Sequence, residues 1–141
     1  MKLSDNFTLN ELIYSSTANA NGINNYPSNE CKDNLIRLCV NVLQPIRKLW
    51  GKPIFVTSGY RCPTLNRLVG GSNTSAHMKG CAADITVGSR EENKKLFEVI
   101  KFLHQEGDIE FDQLISEYDC QWIHIGIKPK VEDMRHQILY L

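Results

Sequence analysis

Apolar residues along this chain recur with two different periods, and the switches between them mark the elements. Leu35, Leu38, Cys39, Val42, Leu43, Ile46 and Leu49 fall at three- and four-residue steps, which predicts one long helix with a single buried face. Ser28 is placed to cap it and Gly51 to end it. Pro45 lies inside and predicts a kink, because it removes one backbone donor. A second helix is predicted after Ser89, where Leu96, Phe97, Ile100 and Leu103 share a face and Gly107 stops the run. Both Thr8-x-x-Glu11 and Ser89-x-x-Glu92 have the capping-box spacing, so a short helix over about Leu9 to Ser15 is also expected.

Between the helices the pattern turns strand-like. Pro53 to Thr57 predicts a buried strand, as does Ala82 to Val87. Phe111 to Tyr118 and Trp122 to Ile127 predict two strands joined by a tight connection. Cys62 to Leu68 predicts a short helix with Pro63 in its first turn, Val131 to His136 a helical turn, and Ile138 to Leu141 an edge strand. Thr17 to Pro27, rich in Asn and Gly, is expected to be an irregular loop. Helices first, then strands mixed with helices, predict an α+β domain with a small, mostly antiparallel sheet flanked by helices.

Length and charge narrow the picture. With 141 residues the chain suits one domain, taken as residues 1–141, with a real core. Sixteen basic residues balance sixteen acidic ones, so no net field draws it to nucleic acid or anionic membrane. No apolar run suggests a signal peptide or a membrane span, so the expected product is made in the cytoplasm. Five cysteines at irregular spacing, with no C-x-x-C pair, do not form a disulfide framework or a thiolate zinc site, and are expected to be mostly buried thiols.

The candidate chemistry lies between Ser58 and Ile85 and again at Trp122-Ile123-His124. The first stretch contains Ser75-x-His77-x-x-Gly80-x-x-x-Asp84. His77 falls in a turn that Gly80 allows to reverse, and Asp84 falls on the strand that follows. His124 comes from a different strand. Two imidazoles and a carboxylate suit zinc, and three protein ligands leave a fourth position open, as in catalytic rather than structural sites. Taken as spacing alone, the same residues also fit a turn histidine, a capping aspartate and a half-buried strand histidine.

The letters Ser58-Gly59-Tyr60-Arg61, Gly70-Gly71, Ser75, His77, Gly80, Ala82, Asp84 and Trp122-Ile123-His124 resemble the zinc D-alanyl-D-alanine carboxypeptidase family. That family includes vancomycin-resistance D,D-dipeptidases and phage endolysins that cut L-alanyl-D-glutamate bonds. The resemblance runs from about Phe7 to Ile127, and the N-terminal part looks like the short phage and prophage branch. It implies a hedgehog-like peptidase fold, zinc on His77, Asp84 and His124, and a substrate in the peptide stem of peptidoglycan. It further implies that Arg61 steadies the oxyanion and that Ser75, Arg61 and Tyr60 contact substrate. A monomer acting on the wall after release, or within a virion, would follow.

One position departs from the pattern. Many members carry a carboxylate three residues before the last zinc histidine, where this chain has Gln121, which cannot take a proton. Glu117 and Asp119 are the nearby alternatives for a general base. An even loop between the two late strands would place Glu117 opposite Trp122, on the same face as His124. Gln113 shares that parity. A metal-holding module that grips wall peptide without cutting it is the rival expectation, and a domain that keeps the motif without metal is a third.

Overall fold

The computed structural model describes residues 1–141. In chain order the elements are β1 (Lys2–Ser4), β2 (Phe7–Thr8), α1 (Leu9–Ile13), α2 (Ser16–Ala20), α3 (Asn29–Leu38), α4 (Gln44–Trp50), β3 (Phe55–Ser58), α5 (Pro63–Leu68), β4 (Ala82–Thr86), α6 (Arg90–Gln105), β5 (Gln113–Glu117), β6 (Trp122–Gly126) and β7 (Gln137–Tyr140). Five strands form one sheet in the order β3-β4-β6-β5-β7. All its pairs are antiparallel except β5 with β7. The α+β architecture with a mostly antiparallel sheet is therefore as expected.

The period-two pattern of the central strands splits the sheet into two unlike faces. Ala83 and Ile85 of β4 pair with Ile125 and Ile123 of β6, and Leu114 of β5 pairs with Ile125. These side chains join one core cluster with Leu35, Leu38, Val42, Leu43 and Ile46 from the first helical stretch and Leu96, Phe97, Ile100 and Leu103 from α6. Burying each such aliphatic side chain contributes about 1.5–3 kcal/mol before entropy is counted. The opposite face carries Asp84, His124, Trp122, Ile115 and Glu117. Helices cover the first face, so the polar face is left for chemistry.

The long helix is continuous but uneven. A wide π-turn spans Cys39–Leu43, where the Gln44 amide donates to the Cys39 carbonyl, five residues back. It lies immediately before Pro45, so the missing Pro45 donor is absorbed by a change of pitch. Gly51 ends α4 with φ 77°. Leu49, expected inside, is 51% exposed. In that last turn Trp50, four residues after Ile46, faces the core instead.

Several other expectations are corrected. Ser16–Ala20 is helical where an irregular loop was predicted, because the Ser15 hydroxyl accepts from the Ala18 amide and starts a turn. The strand at Phe55–Ser58 lies at the sheet edge rather than buried, with Phe55 58% exposed. The small β1–β2 hairpin was not foreseen. At Thr8 both halves of the capping box form, whereas at Ser89 only the hydroxyl-to-Glu92 half does and Glu92 pairs with Lys95 instead. The predicted turn at Val131 to His136 shortens to Val131–Asp133.

All five cysteines are free, with Cys39, Cys81 and Cys120 buried. Burial pushes the Cys39 thiol up to about 12 and the Cys81 thiol up to about 11, which fits packing rather than reactive roles. No helix is long and apolar enough to cross a membrane.

Candidate metal centre and cleft

Asp84 and His124 are direct cross-strand partners on the neighbouring interior strands β4 and β6. His77 reaches the same point from a short 3₁₀ turn, Ala76–Lys79, that leads into β4. The Ser75 hydroxyl caps this turn by accepting from the His77 amide at 3.2 Å. Gly80 closes it at φ 72°, and a side chain there would also run into the Cys31 carbonyl. The turn and the two strands thus bring three residues, separated by up to 47 positions in sequence, into one cluster. Their potential ligand atoms all lie within 4.8 Å of one another.

The histidines present defined nitrogens. His77 Nδ1 lies 2.7 Å from the Gly59 carbonyl. That carbonyl can only accept, so Nδ1 carries a proton and Nε2 is the nitrogen left to face Asp84, donating to it when the ring is protonated and offering a lone pair to a cation when the ring is neutral. Nε2 lies 3.4 Å from Asp84 Oδ1, and His124 Nδ1 lies 3.0 Å from the same oxygen. Gly59 has room for this only as glycine, because a Cβ would collide with the Leu12 carbonyl. Burial alone would raise the Asp84 carboxyl, but hydrogen bonds and charge from His124 and His77 outweigh it and hold it well below the usual range. The carboxylate is therefore ionised, and the donor set suits a divalent cation of borderline softness.

The cluster lies in an open cleft of about 660 Å³. Arg61, Ser75, Glu117 and Trp122 line it with the three donors. The Arg61 backbone is tied to the His77 carbonyl at 3.1 Å. Its Nε is buried with no hydrogen-bond partner. Burial lowers its guanidinium from the ordinary value, and Asp84 opposes that shift. The connection between β5 and β6 has four residues, Tyr118 to Gln121, so Glu117 pairs opposite Trp122 as parity requires. Ile115 stands opposite His124, which puts Glu117 diagonal to that histidine on the same face, at about 7–8 Å between backbones. The Glu117 carboxylate makes no ion pair in the protein, whereas the other candidates are engaged elsewhere. Asp119 pairs with Lys94 on α6 at 3.4 Å, and Gln121 accepts from Arg90 on the same helix. Neither lines the cleft.

Tyr60 is not brought to the cleft. It is mostly buried in the core cluster and borders a neighbouring cavity of about 260 Å³, which shares Arg61 and Asp84 with the cleft. Gln113 lines the cleft but bonds to Gln137 on β7, not to a histidine. Sequence reasoning missed the four other charged lining residues, Lys79, Asp112, Lys128 and Arg135. Lys79 lies two residues past His77 and could have been flagged by proximity. Arg135 could not, since it enters through a contact with Asp112 made 23 residues away.

His77, Asp84 and His124 thus form a three-donor set able to hold a divalent metal, in an open cleft on the polar face of a small, mostly antiparallel sheet. The chain belongs to the peptidase M15 family, whose model matches residues 5–126. Over 49 residues it is 49% identical to the zinc D-Ala-D-Ala carboxypeptidase of Streptomyces albus G. That match covers 34% of this chain and 19% of the carboxypeptidase, so the chain aligns with about a fifth of that curated relative.

Proposed function

We propose that this protein hydrolyses a peptide bond in the stem of bacterial peptidoglycan, with zinc held by His77, Asp84 and His124. The observation that carries the reading is the convergence of their donor atoms beside one unspent carboxylate, Glu117, and one unspent buried donor, Arg61 Nε. When bound, zinc supplies Lewis acidity at the scissile carbonyl and makes water easier to deprotonate. Glu117 takes a proton from the attacking water and returns it to the leaving amine as the C–N bond breaks. Arg61 directs its free donor at the oxygen that gains charge, where a fixed guanidinium is most effective in a partly desolvated site. Ser75 holds the His77 turn and offers its hydroxyl to the bound peptide from the cleft wall.

The substrate class is supported by the zinc D-Ala-D-Ala carboxypeptidase relative and by the endolysin-like motif letters. The bond is the terminal D-Ala-D-Ala or the inner L-Ala-D-Glu linkage. Incubating the zinc-loaded protein with purified muropeptides and weighing the products distinguishes them, since the first releases a single alanine and the second frees the peptide from the glycan. The binding-module alternative drew its force from Gln121, which in the fold contacts Arg90 outside the cleft. Bound zinc with every muropeptide mass unchanged would favour that alternative.

A further inference from the structure

The cleft is electrically lopsided along β6. Glu117 and Trp122 lie on one side of His124, two residues along the strand, while Gly126 and Gln113 lie two residues along on the other. Each step of two is about 7 Å. Beyond Gly126 the lining becomes cationic, with Lys79, Lys128 and Arg135. Lys79 belongs to this end because the carbonyl of Cys81, two residues on, accepts from the Ile127 amide. The one carboxylate there, Asp112, is already engaged. Its Oδ1 accepts from the Arg135 amide and Nε at 2.9 Å each, and its Oδ2 accepts from Nη2 at 2.7 Å. The Lys128 ammonium lies 3.9 Å from the same Oδ2, a longer contact to an oxygen already in use. Lys79 makes no ion pair, and Arg135 Nη1 makes no hydrogen bond within the protein. Three cations against one carboxylate leave this end with two net positive charges facing the cleft.

Two of these cations lie beyond residue 126, where the family match ends. The C-terminal segment is folded back by a clamp: Asp112 grips Arg135, the Gln137 amide donates to the Asp112 carbonyl, and β7 runs parallel to β5. From this we infer that Lys79, Lys128 and Arg135 form an anion subsite that receives a carboxylate of the stem peptide, one or two residues from the bond cut. Asp112 is a positioning residue, since it holds the Arg135 fork through Nε and Nη2 at the cleft wall and leaves Nη1 without a partner in the protein. The inference rests on the stem-peptide reading above and adds to it the substrate's charge and its distance from the scissile bond.

Binding and cleavage are separable, so the test uses binding first. The full zinc-loaded chain is titrated by calorimetry with the dipeptide γ-D-Glu-meso-diaminopimelate, which bears free carboxylates and contains neither candidate scissile bond, and with its carboxamide counterpart. The free acid is expected to bind about tenfold tighter at low salt, as a charge-assisted contact should. In the Lys79→Gln/Lys128→Gln double variant, which spares the Asp112–Arg135 clamp, that preference should largely vanish. Equal binding of acid and amide by the wild type, a preference unchanged in the double variant, or no binding of either peptide would each overturn the subsite. A charge preference in binding with no cleavage of any muropeptide would uphold the subsite and count against the peptidase reading alone.

Discussion

Of the three carboxylates that line the cleft, Asp84 and Asp112 are held below their ordinary titration range, but by different company. Asp84 is gripped by two imidazoles, His77 and His124, with its side chain 17% exposed. Asp112 is gripped by the amide and guanidinium of Arg135, with its side chain 7% exposed. A guanidinium is always protonated and never gives up its donors, so Asp112 is spent on holding the C-terminal segment in place. An imidazole can offer a lone pair, so the groups around Asp84 can turn together toward a cation. One region is therefore a fixed clamp and the other a convertible centre, although each pairs an aspartate with basic side chains. Counting ion pairs would not separate them; the chemistry of the partners does.

The comparison predicts that damage near Asp84 abolishes chemistry while damage at Asp112 erodes stability. The largest effect should come from Glu117→Gln, which keeps shape and removes the base. We expect kcat on muropeptides to fall roughly 10²–10⁴-fold with zinc content unchanged. Near-wild-type turnover in that variant would place the base elsewhere. Next is Arg61→Gln, where a loss of roughly a hundredfold or more should appear in kcat rather than KM, because the guanidinium acts on charge that develops only in the transition state. A change confined to KM would make Arg61 a substrate-holding group only.

Asp112→Asn should do the opposite. It breaks a charge-assisted fork whose arginine is half exposed, so the expected cost is about 1–2 kcal/mol of unfolding free energy in urea, with zinc content intact. Zinc loss in this variant would show that clamp and centre are one unit. The smallest effect is the pH dependence of the same pair. The Asp112 carboxyl is depressed chiefly by hydrogen bonds from Arg135. A depressed carboxyl stabilises the fold above its unfolded pKa, and the contribution is lost as pH falls through the folded value. The melting temperatures of wild type and Asp112→Asn, measured without zinc, should thus differ at neutral pH and converge as pH drops below about 4. A gap that stays constant from neutral to acid pH would assign the effect to packing.

The two regions also differ in how far they could be read from the chain. The candidate centre was legible through the family resemblance carried by Ser58 to Asp84 and by Trp122 to His124, because the spacing alone fitted a turn histidine and a capping aspartate equally well; the fold does gather His77, Asp84 and His124. The even loop between β5 and β6 likewise let parity place Glu117 beside His124. What parity could not say was where Gln121 and Asp119 would point; contacts with Arg90 and Lys94 on α6 decide that. The clamp was not legible. Asp112 and Arg135 carry no periodic signal, and β7 takes its place by pairing with β5 across 24 residues. Elements of two to five residues, such as β1, β2 and α2, were missed or misread for a similar reason. Their stability comes from caps and neighbours rather than from their own pattern.

The central claim is that three side chains from one turn and two strands make a single zinc site. Metal analysis of the purified chain after zinc loading and desalting tests it most directly, alongside His77→Ala and His124→Ala, each checked for retained fold by circular dichroism. The account predicts about one zinc per wild-type chain, as for a three-ligand site with an open position, and little or none in either folded variant. A full complement of zinc in both variants would contradict it.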